Sequence, residues 1–304
     1  MQEGGEVVGF LPFERRSFDR ARPAGFPLSD YQGVVCGPDW RPDLPRIVEL
    51  LRLRSLDFTH LLAGQAPEGE AGWTFGQSPI LDLSRGFEAY AQERAARGSN
   101  LIRDTDRRQR KLEREVGELR YVWSDPAPEV LEQLISWKKA QYARTKVIDL
   151  FDHEWPRALL KGLMSHSDAE FGCFITVLYC RDEIAALEVE LRYRDTLHNW
   201  FPAYDPELYK YSPGLIMSLE LARACQSNGV NYLDLGMGSE SYKERFVSFP
   251  VPLARGAIVR SRPIRMAREG WKRTRDWLRA SPMRPAVEPV IGVARRMRER
   301  MGMR

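Results

Sequence analysis

The residues around Ser212 have the types and the order that suit a site for an anion. Ser212 stands where a helix N-cap is expected, Pro213 takes the first helical position, and Gly214 follows. A glycine there lets a ligand approach the backbone, and the first turn carries no Asp or Glu to complement the helix dipole. Such a helix start suits an external anion such as a diphosphate. The alternative interpretation is an ordinary capped surface helix.

A second polar segment follows about twenty residues further along the chain. Asp234 ends an apolar run, Gly236 and Gly238 come next, and Tyr242 and Lys243 then begin a helix or turn. Asp234 could orient a substrate amine or hydroxyl, while Tyr242 and Lys243 could contact the substrate, with Lys243 holding an acidic group. Alternatively, Asp234 stabilises a turn through its own side chain and Lys243 is a solvated lysine.

Candidate general bases lie on two neighbouring strand patterns. In Leu187–Leu191, alternation buries the aliphatic side chains and places Glu188 and Glu190 together on the opposite face. His198 and Trp200 share one face of the next pattern. Glu188 and His198 are the preferred candidates for the base, and Trp200 for contact with a substrate. The alternative is a hydrated sheet face with a cross-strand pair.

The elements that must position these residues follow an α/β (α+β) pattern. Strands are predicted at 171–180, 184–193 and 196–204, then a helix over 213–226 and a strand over 232–235. Strands followed by a helix and a further strand predict a mixed sheet with covering helices. Upstream, the patterns predict strands at 7–13, 58–62, 79–83 and 119–123, and helices at 46–56, 86–115, 128–142 and 155–164.

Composition restricts the class of protein. The chain has 304 residues, of which 43% are hydrophobic and 29% charged, which is typical of a globular protein and excludes a disordered one. Its four cysteines and four histidines are scattered without the spacing of a metal site, so no metal is expected. No apolar run is long enough to span a bilayer and no secretion signal is found, so the cytoplasm is the expected compartment.

Two motifs together resemble a known family. Tyr211-Ser-Pro-Gly-Leu is followed, some twenty residues later, by Tyr232-Leu-Asp-Leu-Gly-Met-Gly-Ser-Glu-Ser-Tyr-Lys-Glu-Arg-Phe246. The pair is similar to the acetyltransferase domain of CelD-like cellulose and exopolysaccharide biosynthesis proteins. That family belongs to the GNAT superfamily and is related to the FemABX peptidyltransferases. The likeness runs from about Asn100 to Phe246.

The resemblance implies tandem GNAT-like units, with mixed central sheets flanked by helices. It also implies an acyl-CoA-dependent N- or O-acyltransferase, which transfers an acyl group directly to a sugar or polysaccharide precursor. The expected acyl group is acetyl. GNAT proteins hold the CoA diphosphate on backbone N–H groups between a central strand and the next helix. By position these are the groups of Tyr211, Ser212, Gly214, Leu215 and Ile216. The usual glycine-rich loop of the superfamily is not matched, since only Gly214 remains.

Three parts of the chain are expected. A partial first GNAT-like unit covers 1–85, a second, acyl-CoA-binding unit covers 86–254, and a basic tail covers 255–304. Family members usually carry several dozen residues before the first strand, so the first unit is expected to be N-terminally shortened. The tail has 15 Lys/Arg against 4 Asp/Glu, together with two tryptophans. It predicts either peripheral contact with an anionic membrane or a solvated terminus, and nucleic acid is not the expected partner.

Alternatives remain open for one segment and for the function. The arginines within 103–114 could bind phosphates of a nucleotide-sugar or lipid-linked acceptor, or form a salt-bridged solvent face. One rival function is a FemABX-like, aminoacyl-tRNA-dependent peptidyltransferase, although no long two-helix arm with a heptad pattern is found. The other is a non-catalytic assembly subunit that kept the GNAT fold. The intact helix start at Ser212 and the segment from Asp234 to Lys243 argue against this rival, whereas the shortened N-terminus argues for it.

Overall fold

The computed structural model describes residues 1–68, 72–166, 168, 170–238, 242–261, 266, 270 and 274. The chain forms two compact units. Unit 1 contains Met1–Gln77 and the chain from Val251 onward, and unit 2 is Ser78–Pro250. Most of the basic tail lies outside the described residues. The three-part division expected from the sequence stays a prediction.

Short strands dominate the first part of the chain, and longer strands and helices follow. The strands are β1 (Gln2–Glu3), β2 (Glu6–Val7), β3 (Gly9–Phe10), β4 (Phe13–Arg16), β5 (Arg20–Pro23), β6 (Val35–Cys36), β7 (Ser55–Leu62), β8 (Thr74–Asp82), β9 (Leu119–Val122), β10 (Phe171–Cys180), β11 (Glu183–Tyr193), β12 (Thr196–Tyr204), β13 (Tyr232–Asp234) and β14 (Phe249–Val259). The α-helices are α1 (Leu44–Leu50), α2 (Phe87–Ala96), α3 (Leu101–Glu115), α4 (Pro128–Thr145), α5 (Glu154–Met164), α6 (Pro213–Cys225) and α7 (Lys243–Phe246).

Unit 1 contains the strands β4, β5, β7 and β14, which lie in that order. β5 runs parallel to β7, and β14 pairs antiparallel with β7. Helix α1 begins where the Asp43 carboxylate accepts a hydrogen bond from the Arg46 N–H. Its buried side chains Leu44 and Val48 join the core that β7 contributes through Leu56. These residues bury one face of α1 on the sheet.

Unit 2 is built on a mixed sheet with the strand order β8-β13-β12-β11-β10-β9. β12 and β13 pair in parallel, and the other neighbours are antiparallel. Met217 of α6 and Leu112 of α3 pack with Leu178 on one face of the sheet. On the other face, Phe201 contacts Phe151 and the ammonium of Lys138 from α4. This confirms the predicted fold class, a mixed sheet with helices on both sides.

The parallel pairing of β12 and β13 is short. It joins only three residue pairs, the last of which is His198 with Asp234. β12 continues beside β11 to Tyr204. The chain after Asp234 instead stays beside β8, where the Leu235 N–H donates to the Pro79 carbonyl oxygen (3.0 Å). The two parallel strands therefore part directly after His198 and Asp234. The register of β11 with β12 shifts by a bulge at the same place, directly after the pair of Glu190 with Asn199.

The predicted elements differ from the structure at several points. The helix predicted over 46–56 ends at Leu50, and the strand predicted over 7–13 is divided among β2, β3 and β4. The single helix over 86–115 is wrong, because α2 ends at Ala96 and α3 begins at Leu101. Gly98 adopts a φ of +80° between them, a conformation that ends a helix. Strand β14 was not predicted, because Pro250, Pro252 and Gly256 interrupt its apolar pattern. Within the described ranges, no helix is long and apolar enough to cross a lipid bilayer.

Candidate active site

His198 and Asp234 meet at the point where β12 and β13 part. His198 Nδ1 lies 2.9 Å from Asp234 Oδ2. The other carboxylate oxygen, Oδ1, accepts from the Ser78 hydroxyl (2.5 Å) and from the Gly236 N–H (2.9 Å). Asp234 is 3% exposed, so its position is fixed by buried donors. With Nδ1 as the donor to Asp234, the His198 imidazole has Nε2 as an acceptor, which is the tautomer of a general base.

Two glutamates lie on the face of β11 that is covered by α6. Glu188 is 3% exposed and Glu190 is fully buried, so the alternative of a hydrated sheet face is wrong. The Asn199 amide group donates to Glu188 Oε2 (3.0 Å), and the Thr176 hydroxyl donates to Glu190 Oε1 (3.3 Å). The sheet is covered on both faces here, so alternation along β11 buries both sets of side chains.

Burial changes the protonation of this carboxyl pair. Loss of hydration raises the pKa of Glu188 to about 7, although a hydrogen bond with Glu190 and the charges of Lys243 and Lys138 act in the opposite direction. The pKa of Glu190 is raised well above its ordinary value, first by burial and then by the Glu188 charge. Burial therefore favours the protonated form of both carboxyls.

The start of α6 has a different geometry from the one predicted. Ser212 occupies the N-cap position but adopts a left-handed conformation (φ +57°), and its side chain does not cap the helix. Instead, Arg108 of α3 donates to the Ser212 hydroxyl (2.5 Å). The N–H groups of Leu215 and Ile216 donate to the Ser212 carbonyl oxygen (3.0 and 3.3 Å). Thus the Arg108 guanidinium lies at this helix start.

Further positive charges surround Tyr211, which is buried. The ammonium groups of Lys111 and Lys210 lie 5.9 and 4.8 Å from the centre of its ring. The Tyr211 hydroxyl donates to Glu115 Oε2 (2.9 Å). The first turn of α6 contains no acidic residue. The helix start thus combines a positive dipole end with nearby cationic side chains.

The remaining predicted substrate residues lie around the parting strands. Lys243 Nζ donates to the carbonyl oxygens of Leu235 and Gly236 (2.8 and 3.3 Å), directly after Asp234. Tyr242 packs at the edge of the core that includes α6, and Trp200 stacks at a tilt on Phe201. Lys243 is therefore a link that holds the chain after β13.

Three residues of this region were not singled out from the sequence. Ser78 and Asn199 contact Asp234 and Glu188, and Arg108 was noted only as part of the 103–114 cluster. Ser78 lies 156 positions from Asp234 in the chain, so no local pattern could have joined the two. Among the described residues, no group of three His, Cys, Asp or Glu side chains could hold a metal ion.

Comparisons with known proteins agree with this architecture. Residues 99–244 match the family model described as an acetyltransferase (GNAT) domain. A comparison with curated proteins found no match.

Solved structures were also compared. The C-terminal domain of a putative lysylphosphatidylglycerol synthetase from Agrobacterium fabrum is 12% identical, with a TM-score of 0.55 over 86% of this chain and 83% of that chain. FemX is 8% identical, with a TM-score of 0.53 over 88% of each chain. At such identities the likeness shows the fold alone. The family match over residues 99–244 thus supports a GNAT-type acyltransferase as the type of enzyme.

Proposed function

We propose that the chain transfers an acyl group, with acetyl as the expected group, from acyl-CoA to an amine or hydroxyl of a sugar or polysaccharide precursor. The observation that carries the proposal is the geometry of β12 and β13. These parallel strands part at His198 and Asp234, and α6, which connects them, begins at a cationic helix start. If the thioester of acyl-CoA lies between the parting strands, the diphosphate of its CoA is directed towards the start of α6.

The start of α6 suits the diphosphate of CoA. The Arg108 side chain supplies a guanidinium, which forms charge-assisted hydrogen bonds with phosphate oxygens. Lys111 and Lys210 add positive charge nearby. Because the N–H groups of Leu215 and Ile216 already donate to Ser212, we assign the main contacts to Arg108, to the Ser212 hydroxyl and to the Gly214 backbone.

The proposed transfer is a direct attack on the thioester carbonyl. The acceptor nitrogen or oxygen forms a bond to the carbonyl carbon, its proton moves to His198 Nε2, and the C–S bond breaks to release CoA thiolate. Asp234 holds the imidazole in the tautomer that this step requires and stabilises the imidazolium that results. We prefer His198 over Glu188 as the base because the His198 side chain is 13% exposed, whereas Glu188 is enclosed under α6.

The proposal is tested by calorimetric titration with acetyl-CoA. Gly214 is the position to change in Gly214→Glu, because an added Cβ would meet only Tyr204 Cδ1, at an ordinary contact distance of 3.7 Å. The new carboxylate would repel a diphosphate at the helix start. Gly162→Glu is the matched control, since Gly162 is an exposed glycine of α5 with no atom near its Cβ position. Binding by the intact chain and by the control, with loss in Gly214→Glu, is the expected result.

A second candidate function is a FemX-like, aminoacyl-tRNA-dependent transfer. The observation that favours it is the likeness in fold to FemX over 88% of the chain. A parallel titration with aminoacyl-tRNA separates the two. If the intact chain binds aminoacyl-tRNA and not acetyl-CoA, the first proposal is wrong. If it binds neither, the non-catalytic assembly role remains.

A further inference from the structure

The turn between β4 and β5 exposes an aromatic side chain at one end of the unit 1 sheet. Phe18, in the short helical turn Ser17–Asp19, is 80% exposed. Its φ is +61° and that of Asp19 is +52°, so both lie in the left-handed region. For a bulky residue such as phenylalanine this conformation is strained, and such strain clusters at functional sites. Neither burial nor a relaxed backbone accounts for Phe18 at this position.

Two other segments of unit 1 lie beside this turn. The Arg54 N–H donates to the Asp19 carbonyl oxygen (2.7 Å), and the Arg260 N–H donates to the Arg54 carbonyl oxygen (3.1 Å). The Arg15 side chain donates to the Leu51 carbonyl oxygen (2.8 Å). These contacts bring three segments to one end of the sheet, which we call the Phe18 edge: residues 15–20, 51–54 and 260.

The Phe18 edge is strongly basic. It contains six arginines against a single acidic residue, Asp19. Arg15 pairs with Asp19 (3.1 Å), and Arg20 lies 3.9 Å from the carboxylate of Asp57. Three further arginines are exposed and have no carboxylate partner among the described residues: Arg52, Arg54 and Arg260. The positive charge of this edge is therefore only partly neutralised within the described chain.

A second apolar side chain is exposed next to the Phe18 edge. Leu50 is 66% exposed at the end of α1, directly before Leu51. Arg52 follows with a φ of +54°. Thus three of the seven non-glycine residues with a positive φ in the described ranges belong to this edge. Exposed apolar side chains among arginines are typical of surfaces that bind anionic lipid.

The chain leaves the sheet at the same edge. Strand β14 ends at Val259, and the sequence after Arg260 contains 13 Lys/Arg against 4 Asp/Glu. Electrostatic attraction between exposed charges falls off within about 10 Å at moderate salt, so the point where a basic segment is attached matters. Attachment beside Arg54 adds positive charge where the described residues are already basic.

We propose that the Phe18 edge docks on the surface of an anionic membrane. The negative potential of such a surface attracts the arginines, and Phe18 and Leu50 enter the boundary between headgroups and acyl chains. A nucleic acid is the other polyanion with which a basic surface could pair. Bases stack on flat side chains, whereas the aliphatic Leu50 offers no such face, so the exposed residues favour lipid.

The test measures how the full chain binds vesicles, by co-sedimentation. The vesicles contain phosphatidylcholine alone or phosphatidylcholine mixed with phosphatidylserine. We expect binding to the mixed vesicles that weakens with added salt. The triple variant Arg52→Gln/Arg54→Gln/Arg260→Gln should weaken it by about tenfold or more, because each basic side chain near an anionic surface contributes roughly a fivefold factor. The control Arg41→Gln/Arg144→Gln/Arg255→Gln removes equal charge from exposed arginines outside the edge and should bind as the intact chain does.

A second variant tests the aromatic side chain. Phe18→Asn removes the ring and keeps the turn, because asparagine tolerates the left-handed conformation. It should weaken binding to the mixed vesicles by about fivefold or more, since the ring no longer leaves water. The matched control is Phe75→Asn in β8, because Phe75 is 71% exposed and lies outside the edge. This control should bind the vesicles as the intact chain does.

The proposal is overturned if the intact chain does not bind the mixed vesicles, or if either variant binds them as its control does. The latter result would assign the binding to the basic tail alone. A parallel titration with double-stranded DNA tests the other polyanion. If the triple variant loses affinity for DNA and keeps its affinity for vesicles, the edge is a nucleic-acid surface and the proposal is wrong. The Phe18 edge belongs to unit 1 and His198 to unit 2, so acetyl-CoA binding, measured separately, tests the acyltransferase function independently.

Discussion

Replacing Glu188 by Gln should change how the stability of the protein depends on pH. The Glu188 carboxyl is enclosed, and burial raises its pKa from 4.5 to about 7 in the folded chain. A carboxyl whose folded pKa is raised favours folding below its unfolded pKa. This contribution is lost as pH rises through the folded pKa. The free energy of unfolding should therefore fall between about pH 4.5 and pH 7.

The magnitude follows from the pKa difference. A pKa raised from 4.5 to about 7 corresponds to about 3 kcal/mol, at about 1.4 kcal/mol for a tenfold change in the equilibrium. Glutamine keeps an oxygen that can accept from Asn199 and an amide that can donate to Glu190, and it does not ionise. Glu188→Gln should thus gain about 3 kcal/mol relative to the intact chain on going from pH 4.5 to pH 8.

The assay is urea unfolding followed by tryptophan fluorescence at pH 4.5, 6 and 8, for which the chain provides eight tryptophans. The control is Glu183→Gln, because Glu183 is an exposed glutamate at the start of the same strand. The difference between the control and the intact chain should stay constant with pH. If the Glu188→Gln difference is equally constant, the carboxyl is not held in its acid form by burial and the argument for the Glu188–Glu190 pair fails.

Three other predictions concern the site and the fold. His198→Ala should lower the rate of acyl transfer by about 10² to 10⁴-fold with little change in acetyl-CoA affinity, measured by steady-state kinetics and calorimetry; a loss of affinity of the same size would make His198 a binding residue. Arg108→Gln should weaken acetyl-CoA binding by about tenfold, whereas Arg110→Gln should not, and equal affinities for both would remove Arg108 from the site. Gly98→Ala should lower the free energy of unfolding by about 1–2 kcal/mol, because Gly98 has a φ of +80°, whereas Gly162→Ala in α5 should raise it by up to about 1 kcal/mol. Chemical denaturation measures both glycine variants, and similar effects at the two positions would contradict the backbone argument.

The sequence predicted the elements that local pattern defines. Strands β10 and β12 have the predicted bounds, because each is an apolar run bounded by turn residues. The turn between β11 and β12 contains Arg194, whose φ is +54°. The start of α6 was predicted for the same reason, since Ser-Pro-Gly is a local signal.

The rest depends on contacts between distant parts of the chain. The burial of Glu188 requires helices on both faces of the sheet, which alternation in one strand cannot reveal. The Ser78–Asp234 contact depends on the pairing of β8 with β13. The Ser212 hydroxyl accepts from Arg108 of another helix, whereas the sequence predicted a cap on the start of α6. Each case is a tertiary contact that overrides a local preference.

Unit 2 is one continuous stretch placed between two portions of unit 1 in the sequence, and its two ends are neighbours in space. The Ser248 N–H donates to the Ile80 carbonyl oxygen (2.8 Å), and the Asp82 N–H donates to the Ser248 hydroxyl (3.0 Å). Adjacent ends are what allow a domain to be inserted into another chain or permuted circularly. A gene fragment that encodes Ser78–Pro250 would carry the whole His198–Asp234–Ser78 arrangement. A linker of a few residues could join the two termini of this fragment, and new termini could be placed in an exposed turn. The pairing of β12 and β13 would be kept.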